Sequence, residues 1–420
     1  MSESRRRWNK TVFVPEDISA VTRFDPAEEA DPGEVGLTRT GVDAIWSGVT
    51  ELYRTGIHPA ISFCLRRRGK VVLKRSIGHV NGNGPDDCPS SRKTIATPAT
   101  PFCMFSGSKA ALAMLIHKLA ERRQVRLNDP LCHYVPEFGS NGKDRITIHH
   151  ALTHTAGIPA MPPAVDRDTL LDFDACVHLI CALKPRCPPG TRVAYHTMTA
   201  GFVLAEIVRR VTGQDIRQFL RSTIQDPLGF RYFNYGAREE DVPEIAANYV
   251  TGWPIPRVIS GLTRKMSVLD WKPYVELTND ARCMRSVIPT VNLIATADEA
   301  CRFYQMLLNH GEFEGKRLFD RETVEQALRP ASGTVFDGTL FTPMRYSEGF
   351  MLGNRRNSLF LPHCEEAFGH WGFASMVSWA DPSRAITGAM LNTGKAFLGP
   401  YALPNFRLYT LIRKHCPRVQ

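Results

Sequence analysis

The sequence predicts an α/β (α+β) protein in which one central antiparallel sheet, flanked by helices, is built from both ends of the chain and joined to a mostly helical subdomain. Three observations predict it. Alternating, β-branched segments bounded by turn residues cluster near residues 60–78 and 368–391. The long middle shows the three-to-four-residue apolar spacing of helices. At 420 residues the chain exceeds the usual span of a single core, which favours two subdomains sharing a cleft.

Residues 1–36 are polar and rich in Pro, Asp and Glu, which reads as an arm draped on the surface. Over Thr38–Thr55, Val42, Ile45, Trp46, Val49 and Leu52 recur at helical spacing. Ala60–Arg67 and Val71–Gly78 read as strands, and Arg68-Gly69-Lys70 joins them in a tight antiparallel hairpin. Asn81–Thr100 reads as loop. A helix follows from Ser106 to near Arg122–Arg123, then turn and short helix over Val125–Pro136, then a capped short helix over Ile146–Gly157 stopped by the glycine. Beyond the Pro-rich passage Pro159–Pro163, a helix is expected near Thr169–Leu183. Pro188-Pro189-Gly190-Thr191 turns the chain into Val193-Ala194-Tyr195. Thr199–Val211 is an apolar helix ended by Gly213, residues 215–225 continue as helix, and Asp226–Phe230 turns.

Residues 237–290 carry Trp253, Trp271 and several prolines with little periodicity. That is long for a plain connection and makes the segment a candidate lid or pocket wall. Thr296–Asn309 and Asp320–Leu328 are amphipathic helices. Phe368–Gly372, Ser375–Ala380 and Ala385–Leu391 look extended, Asp381–Arg384 is a turn, and a last helix begins about Tyr401. The expected division is an arm over 1–36, a sheet subdomain from 37–100 and 330–420, and a mostly helical subdomain over 101–329.

Composition bounds the function. Apolar residues make up 43% and charged residues 22%, the proportions of a soluble globular protein. No apolar run approaches the ~20 residues of a membrane span. Arg5–Arg7 is not followed by the apolar stretch of a signal peptide. Eleven scattered cysteines without a Cys-x-x-Cys pair read as reduced thiols, which points to the cytoplasm. The net charge of +10 gathers at Arg5–Arg7, Arg66–Lys70 and Arg209–Arg210 without a basic, aromatic-interleaved stripe, so these read as solvated faces and not as a nucleic-acid interface.

Ser106 ends an apolar approach, Phe102-Cys103-Met104-Phe105, and a run of helix formers begins behind it. Lys109 lies one helical turn on, so hydroxyl and amine share a face. A serine becomes a nucleophile when a base takes its proton, and a lysine of lowered pKa can be that base. Ser-x-x-Lys also occurs at Ser90–Lys93 and Ser140–Lys143, but both lie in Gly/Pro/Ser/Asp-rich stretches that read as solvated turns. Tyr195-His196-Thr197, held between a Pro-Gly turn and a helix, offers a phenol that can relay a proton. His370-Trp371-Gly372, the one His-x-Gly in the chain, leads into a strand. Its glycine allows close approach, and the N–H of Phe373 paired with that of Ser106 would make an oxyanion hole.

His149, His150 and His154 lack a third ligand of metal-site spacing and read as structural. No metal is implied. The α/β-hydrolase serine motif and the phosphate-binding loop are both absent, and no cofactor is implied.

In this order the three elements resemble the serine β-lactamase and penicillin-binding-protein superfamily, and most of all its class C β-lactamase and esterase branch. Ser106-x-x-Lys109 matches the nucleophile motif, Tyr195-His196-Thr197 stands where Tyr-x-Asn is usual, and His370-Trp371-Gly372 stands where lactamases have Lys-Thr-Gly. The flanks Ala151–Gly157, Pro189–Gly213, Pro227-Leu228-Gly229 and Ala295–Glu299 extend the likeness over roughly Val42 to Leu391. The resemblance implies the β-lactamase-like fold, with Ser106 as nucleophile, Lys109 and Tyr195 sharing the proton work, and Phe373, His370, Gly372 and Thr197 around the substrate. Thr197 in place of Asn, and His370 in place of an ammonium that anchors a carboxylate, move the expectation from β-lactamase to carboxylesterase. A small-molecule ester is the expected partner, and the oligomeric state is left unassigned. Acyl transfer, D-amino-acid peptidase or weak β-lactamase activity on the same site is the alternative, and a catalytically silent scaffold ranks below both. Trp253, Trp271 and Trp371 suit an apolar pocket wall or core packing equally.

Overall fold

A computed structural model describes residues 9–162, 165–256, 261, 268–355, 358, 360 and 363–419. Arg5–Arg7, Pro163 and parts of the 237–290 segment therefore lie outside the described residues. The chain builds an eight-stranded antiparallel sheet. Its order runs Thr22–Phe24, Lys70–Asn81, Ala60–Arg67, Ile386–Asn392, Val377–Asp381, Phe368–Trp371 and Met351–Leu352, with Thr94–Ile95 added on the Lys70–Asn81 strand. The ends of the chain meet at its centre, where Phe63 pairs with Met390 and Leu65 with Gly388.

Both faces of this sheet are covered, and the alternation of side chains divides its strands between two cores. Ile61, Phe63 and Leu65 face the helices Arg39–Arg54 and Ala402–His415, against Val42, Ile45, Val49, Leu408 and Ile412. Ala60 and Cys64 face the opposite way, toward the helix Ala297–Leu308 and the helical region. That region packs Ser108–Glu121 against Thr199–Thr212, with Phe173–Ala182 behind. Local signals set the boundaries. Thr38 caps Arg39–Arg54, Thr296 and Glu299 form a capping box, and Gly213 ends Thr199–Thr212 in the left-handed conformation at φ 71°.

Several expectations need correction. The arm is more than a surface drape, because Thr22–Phe24 joins the sheet edge and Glu29 accepts from Arg75 Nη2 at 2.6 Å. The loop over 81–100 includes the short strand Thr94–Ile95, while the preceding strand runs on to Asn81. The helix near 169–183 breaks into Arg167–Leu171 and Phe173–Ala182, since Asp172 leaves helical geometry to cap the second. The short helix after Ile146 ends at Leu152, well before Gly157. The helix over 215–225 holds as Ile216–Leu220 followed by a π turn over Arg221–Gln225.

Two solvated readings fail as well. Arg66 and Arg67 are buried, Arg66 against Asp298 at 2.9 Å and Arg67 donating to Pro417 O at 2.9 Å. Lys143 is wholly buried, its amine set on main-chain carbonyls. All eleven cysteines are free thiols.

Candidate active site

Ser106 sits in a 3-10 turn, Phe105–Gly107, one step ahead of the helix Ser108–Glu121. Phe105 is held at φ 48°, a conformation that costs a residue with a side chain about 1–2 kcal/mol. Neighbouring bonds fix the turn. Ser108 Oγ donates to Phe105 O at 2.5 Å and accepts from Leu293 N at 3.1 Å, and Tyr235 Oη donates to Ser108 O at 2.7 Å.

The turn delivers the expected pair. Lys109 Nζ lies 3.2 Å from Ser106 Oγ, 2.9 Å from Thr197 O and 3.5 Å from Thr290 O. No carboxylate touches it among the described residues, and burial drives the amine well below its usual value. A neutral amine has two N–H groups, which the two carbonyls accept, and one lone pair, which the Ser106 hydroxyl can address.

Tyr195 belongs to an extended stretch pinned on two sides. Ala194 N donates to His154 O at 3.0 Å and Thr197 N to Pro159 O at 3.2 Å. From the hairpin formed by Val335–Asp337 and Thr342–Met344, Gly338 N donates to Val193 O at 3.0 Å, and the Asp337 carboxylate accepts Tyr195 N at 3.1 and 3.2 Å. The amine of Lys109 stands 4.8 Å from the Tyr195 ring. Burial pushes the phenol far up, while the Ser106 side chain opposes that shift and the Asp337 charge adds to it. The phenol is therefore protonated across the ordinary pH range and is suited to donate.

His370 Nδ1 donates to Trp371 O at 2.7 Å, which leaves Nε2 as the acceptor nitrogen. Burial and the Lys109 charge take the imidazole down to about 3, so it is neutral. Its ring is 6.0 Å from that of Tyr195, and it is buried behind the cavity instead of lining it. Gly372 explains why the next residue reaches Ser106. A Cβ there would meet Met104 O at 2.8 Å, so only glycine lets this strand end close on the nucleophile turn. Gly372 N is taken by Met376 O at 3.0 Å, whereas the N–H groups of Ser106 and Phe373 have no acceptor among the described residues. The Phe373 and Phe105 rings stack at 5.3 Å.

These groups open on a cavity of about 310 Å³. Thr197, Gly372 and Phe373 line it with Ser106 and Tyr195, and Trp271, Trp371, Phe397 and Tyr401 close it. Trp271 lies 4.3 Å from Phe373 and crosses Phe397 edge-on at 5.3 Å. No charged side chain is among the described residues that line it. Tyr195 Oη, Thr197 Oγ1 and Ser375 Oγ are buried there without a partner among the described residues. Of the three tryptophans considered, Trp271 and Trp371 line the cavity and Trp253 is half exposed elsewhere.

Sequence reasoning missed Asp337, His154, His196 and Lys395. His154, at φ 60°, packs its ring 4.6 Å from Tyr195 and accepts His196 N at 3.2 Å. Lys395 lies beneath Phe105, 4.7 Å from its ring, and donates to Asn392 O at 2.7 Å, with burial bringing its amine down to about 7. His196 stands inside the tyrosine motif and His154, read as structural, in one of its flanks; no local signal marks Asp337 or Lys395, and only the tertiary fold brings the four together. His149 and His150 stand apart, on Glu348 at 2.6 Å and in the Thr147 capping box.

A family model described as Beta-lactamase matches residues 49–406. The chain belongs to the beta-lactamase family. Within that family it is similar to the esterase/beta-lactamase LipL of Mycobacterium tuberculosis, with 28% identity over 328 residues, 74% of each chain. In fold this beta-lactamase-family chain is similar to a penicillin-binding-protein homologue from Caulobacter crescentus, with TM-score 0.76, 24% identity, and 90% of this chain and 99% of that one covered. A family VIII carboxylesterase gives TM-score 0.74 at 22% identity, covering 89% of this chain and 98% of its own.

Proposed function

We propose that this beta-lactamase-family protein is a serine carboxylesterase that cleaves small to medium, uncharged acyl esters through an acyl-enzyme on Ser106. The observation that carries the reading is the Lys109 amine. It is buried without a counter-charge, 3.2 Å from the Ser106 hydroxyl, with its other contacts on carbonyls. In this reading Lys109 takes the Ser106 proton as Oγ attacks the ester carbonyl carbon. The N–H groups of Ser106 and Phe373 receive the oxyanion. The intermediate collapses, the C–O bond to the alcohol breaks, and Tyr195 gives its proton to the leaving oxygen. Lys109 passes the proton it took to the Tyr195 phenolate, and the neutral amine then activates the water that releases the acid.

The uncharged cavity supports the choice of substrate. Against the described lining residues, a β-lactam or a peptide with a free carboxylate would bury that charge without a cation, at a cost of several kcal/mol. His370 is neutral and set back from the lining, so it does not stand in for an ammonium. Trp271 and Tyr274 give the 237–290 segment the part of a pocket wall. The free thiols suit a reducing compartment, hence the cytoplasm.

The test is a p-nitrophenyl ester series run beside a chromogenic cephalosporin, with Ser106→Ala as control. Ester turnover that vanishes in the variant, with little cephalosporin cleavage, is the expected result. Undiminished ester turnover by Ser106→Ala would sink the assignment. Cephalosporin turnover equal to the best ester would sink the substrate class.

A further inference from the structure

Asp337 is wholly buried, and the mechanism above gives it no step. One carboxylate oxygen accepts Thr339 N and Leu340 N at 2.8 Å each, and the other accepts Tyr346 Oη at 2.9 Å. Tyr195 N reaches both oxygens. Among the described residues its partners are three main-chain N–H groups and one phenol, and no cation. A buried carboxyl group is costly unless its oxygens are hydrogen-bonded, so this donor set is one the fold has to keep in place.

The bonds tie two parts of the cavity wall to a support behind them. Leu340 and Thr342, on the hairpin that Asp337 organises, line the cavity, as does Tyr195. Tyr346 stands 4.9 Å from the His154 ring, which lies 4.6 Å from that of Tyr195. Tyr195 itself hangs from the carboxylate through its main chain. Its phenol oxygen makes no full hydrogen bond among the described residues, and Ser106, the side chain near enough to act on its titration, is the group it has to be aimed at. The backbone anchor sets that aim.

We propose that Asp337 is the positioning residue for Tyr195, holding the phenol against Ser106 and the leaving-group oxygen by clamping its main chain to the cavity-wall hairpin. The proposal rests on the assignment of Tyr195 as proton donor. The residue acts through Tyr195, not on substrate. Among the described residues, the other ionisable groups that face Tyr195 are Lys109, His154 and His370, together with Tyr346 and Tyr274.

The test is a double-mutant cycle with Asp337→Asn and Tyr195→Phe on an ethyl ester, whose alkoxide leaves only when protonated. A p-nitrophenyl ester, whose leaving group needs no proton, is run in parallel. Asparagine keeps the shape but replaces one acceptor oxygen by a donor. In the parent protein Asp337→Asn is expected to lower kcat on the ethyl ester about 10- to 100-fold, with KM within about 2-fold. The p-nitrophenyl rate falls by less than about 3-fold, because it does not use the acid. In the Tyr195→Phe background the Asp337→Asn loss shrinks below about 2-fold, as coupled residues require.

Equal losses in both backgrounds, or on both esters, overturn the role of Asp337 and leave that of Tyr195 standing. An unimpaired Tyr195→Phe overturns both. Where Asp337→Asn does not fold, Tyr346→Phe in the same cycle reads the same coupling at about 3- to 10-fold, and a flat response overturns the proposal.

Discussion

Two segments of this protein share the Ser-x-x-Lys spacing and a buried amine, and only one of them unites amine and hydroxyl. In Ser106–Lys109 the backbone passes through a tight turn straight into a helix, and Nζ comes to 3.2 Å from Oγ. In Ser140–Lys143, Ser140 is extended and Asn141 left-handed at φ 58°, so the tetrapeptide never becomes helical. Ser140 Oγ donates to Cys181 O at 2.7 Å, and Lys143 Nζ donates to Ser140 O and Cys181 O at 2.8 Å each and also to Leu183 O. Three carbonyls use three N–H groups, which only an ammonium has. Two carbonyls and a hydroxyl fit a neutral amine with its lone pair free. The partners of a buried lysine, more than its burial, decide whether it is a brace or a base.

The largest effects should separate the two pairs cleanly. Ser106→Ala and Lys109→Met are expected to lower kcat/KM on p-nitrophenyl esters by about 10³-fold or more. Ser140→Ala and Lys143→Met should stay within about 2-fold of the parent. A Lys143→Met loss as deep as that of Lys109→Met would break the comparison.

Protonation sharpens it. The proposed mechanism uses the neutral Lys109 amine, so kcat/KM should fall on the acid side of that group's lowered titration, about tenfold per pH unit, and the Lys143→Met profile should superimpose on the parent's. The sign for stability follows from the same depression. Between the folded value and the ordinary 10.5, the unfolded chain binds more protons at Lys109 than the folded one. The stability is complete above 10.5 and is lost as pH falls through the folded value. Urea midpoints measured against pH should rise toward alkali, and Lys109→Met should flatten that rise.

At fixed pH the two lysines should differ in their contribution to the fold. Lys143→Met strands three carbonyls and is expected to cost about 2–4 kcal/mol in chemical denaturation. Lys109→Met removes an amine held out of water for catalysis, and should cost under about 1 kcal/mol or stabilise. The smallest effect concerns the turn itself. Asn141→Ala should cost about 1 kcal/mol, and Asn141→Gly a few tenths, with ester turnover unchanged in both.

Much of the sheet and the meeting of Ser106 with Lys109 were legible because their signals are local. The hairpin at Arg68-Gly69-Lys70, the cap at Thr38 and the helix behind Ser106 each show in a few neighbouring residues. Tyr195, Gly372 and Phe373 could be found because short segments carry them and their order along the chain is informative. The rest is tertiary. Nothing near Asp337 announces that its carboxylate will meet Tyr195 N, 142 positions away. The charged run at Arg66–Arg67 and the polar turn at Lys143 look solvated in any window of sequence, because their acceptors come from Asp298, Pro417, Cys181 and Leu183. His370 was traced to the right neighbourhood, and the missing information was depth, which side of a strand wall the ring occupies.

The sheet's centre joins residues 60–67 to residues 386–392, and Gly372 closes on Met104 from the same late part of the chain. During synthesis the serine and its base emerge from the ribosome long before the strand and the backbone N–H that complete their surroundings. Pairings so distant in sequence form late and slowly. On the proposed mechanism a nascent chain of this protein would display a nucleophile with no cradle for the oxyanion, and ester turnover would double as a report that the last strand has been made and has docked.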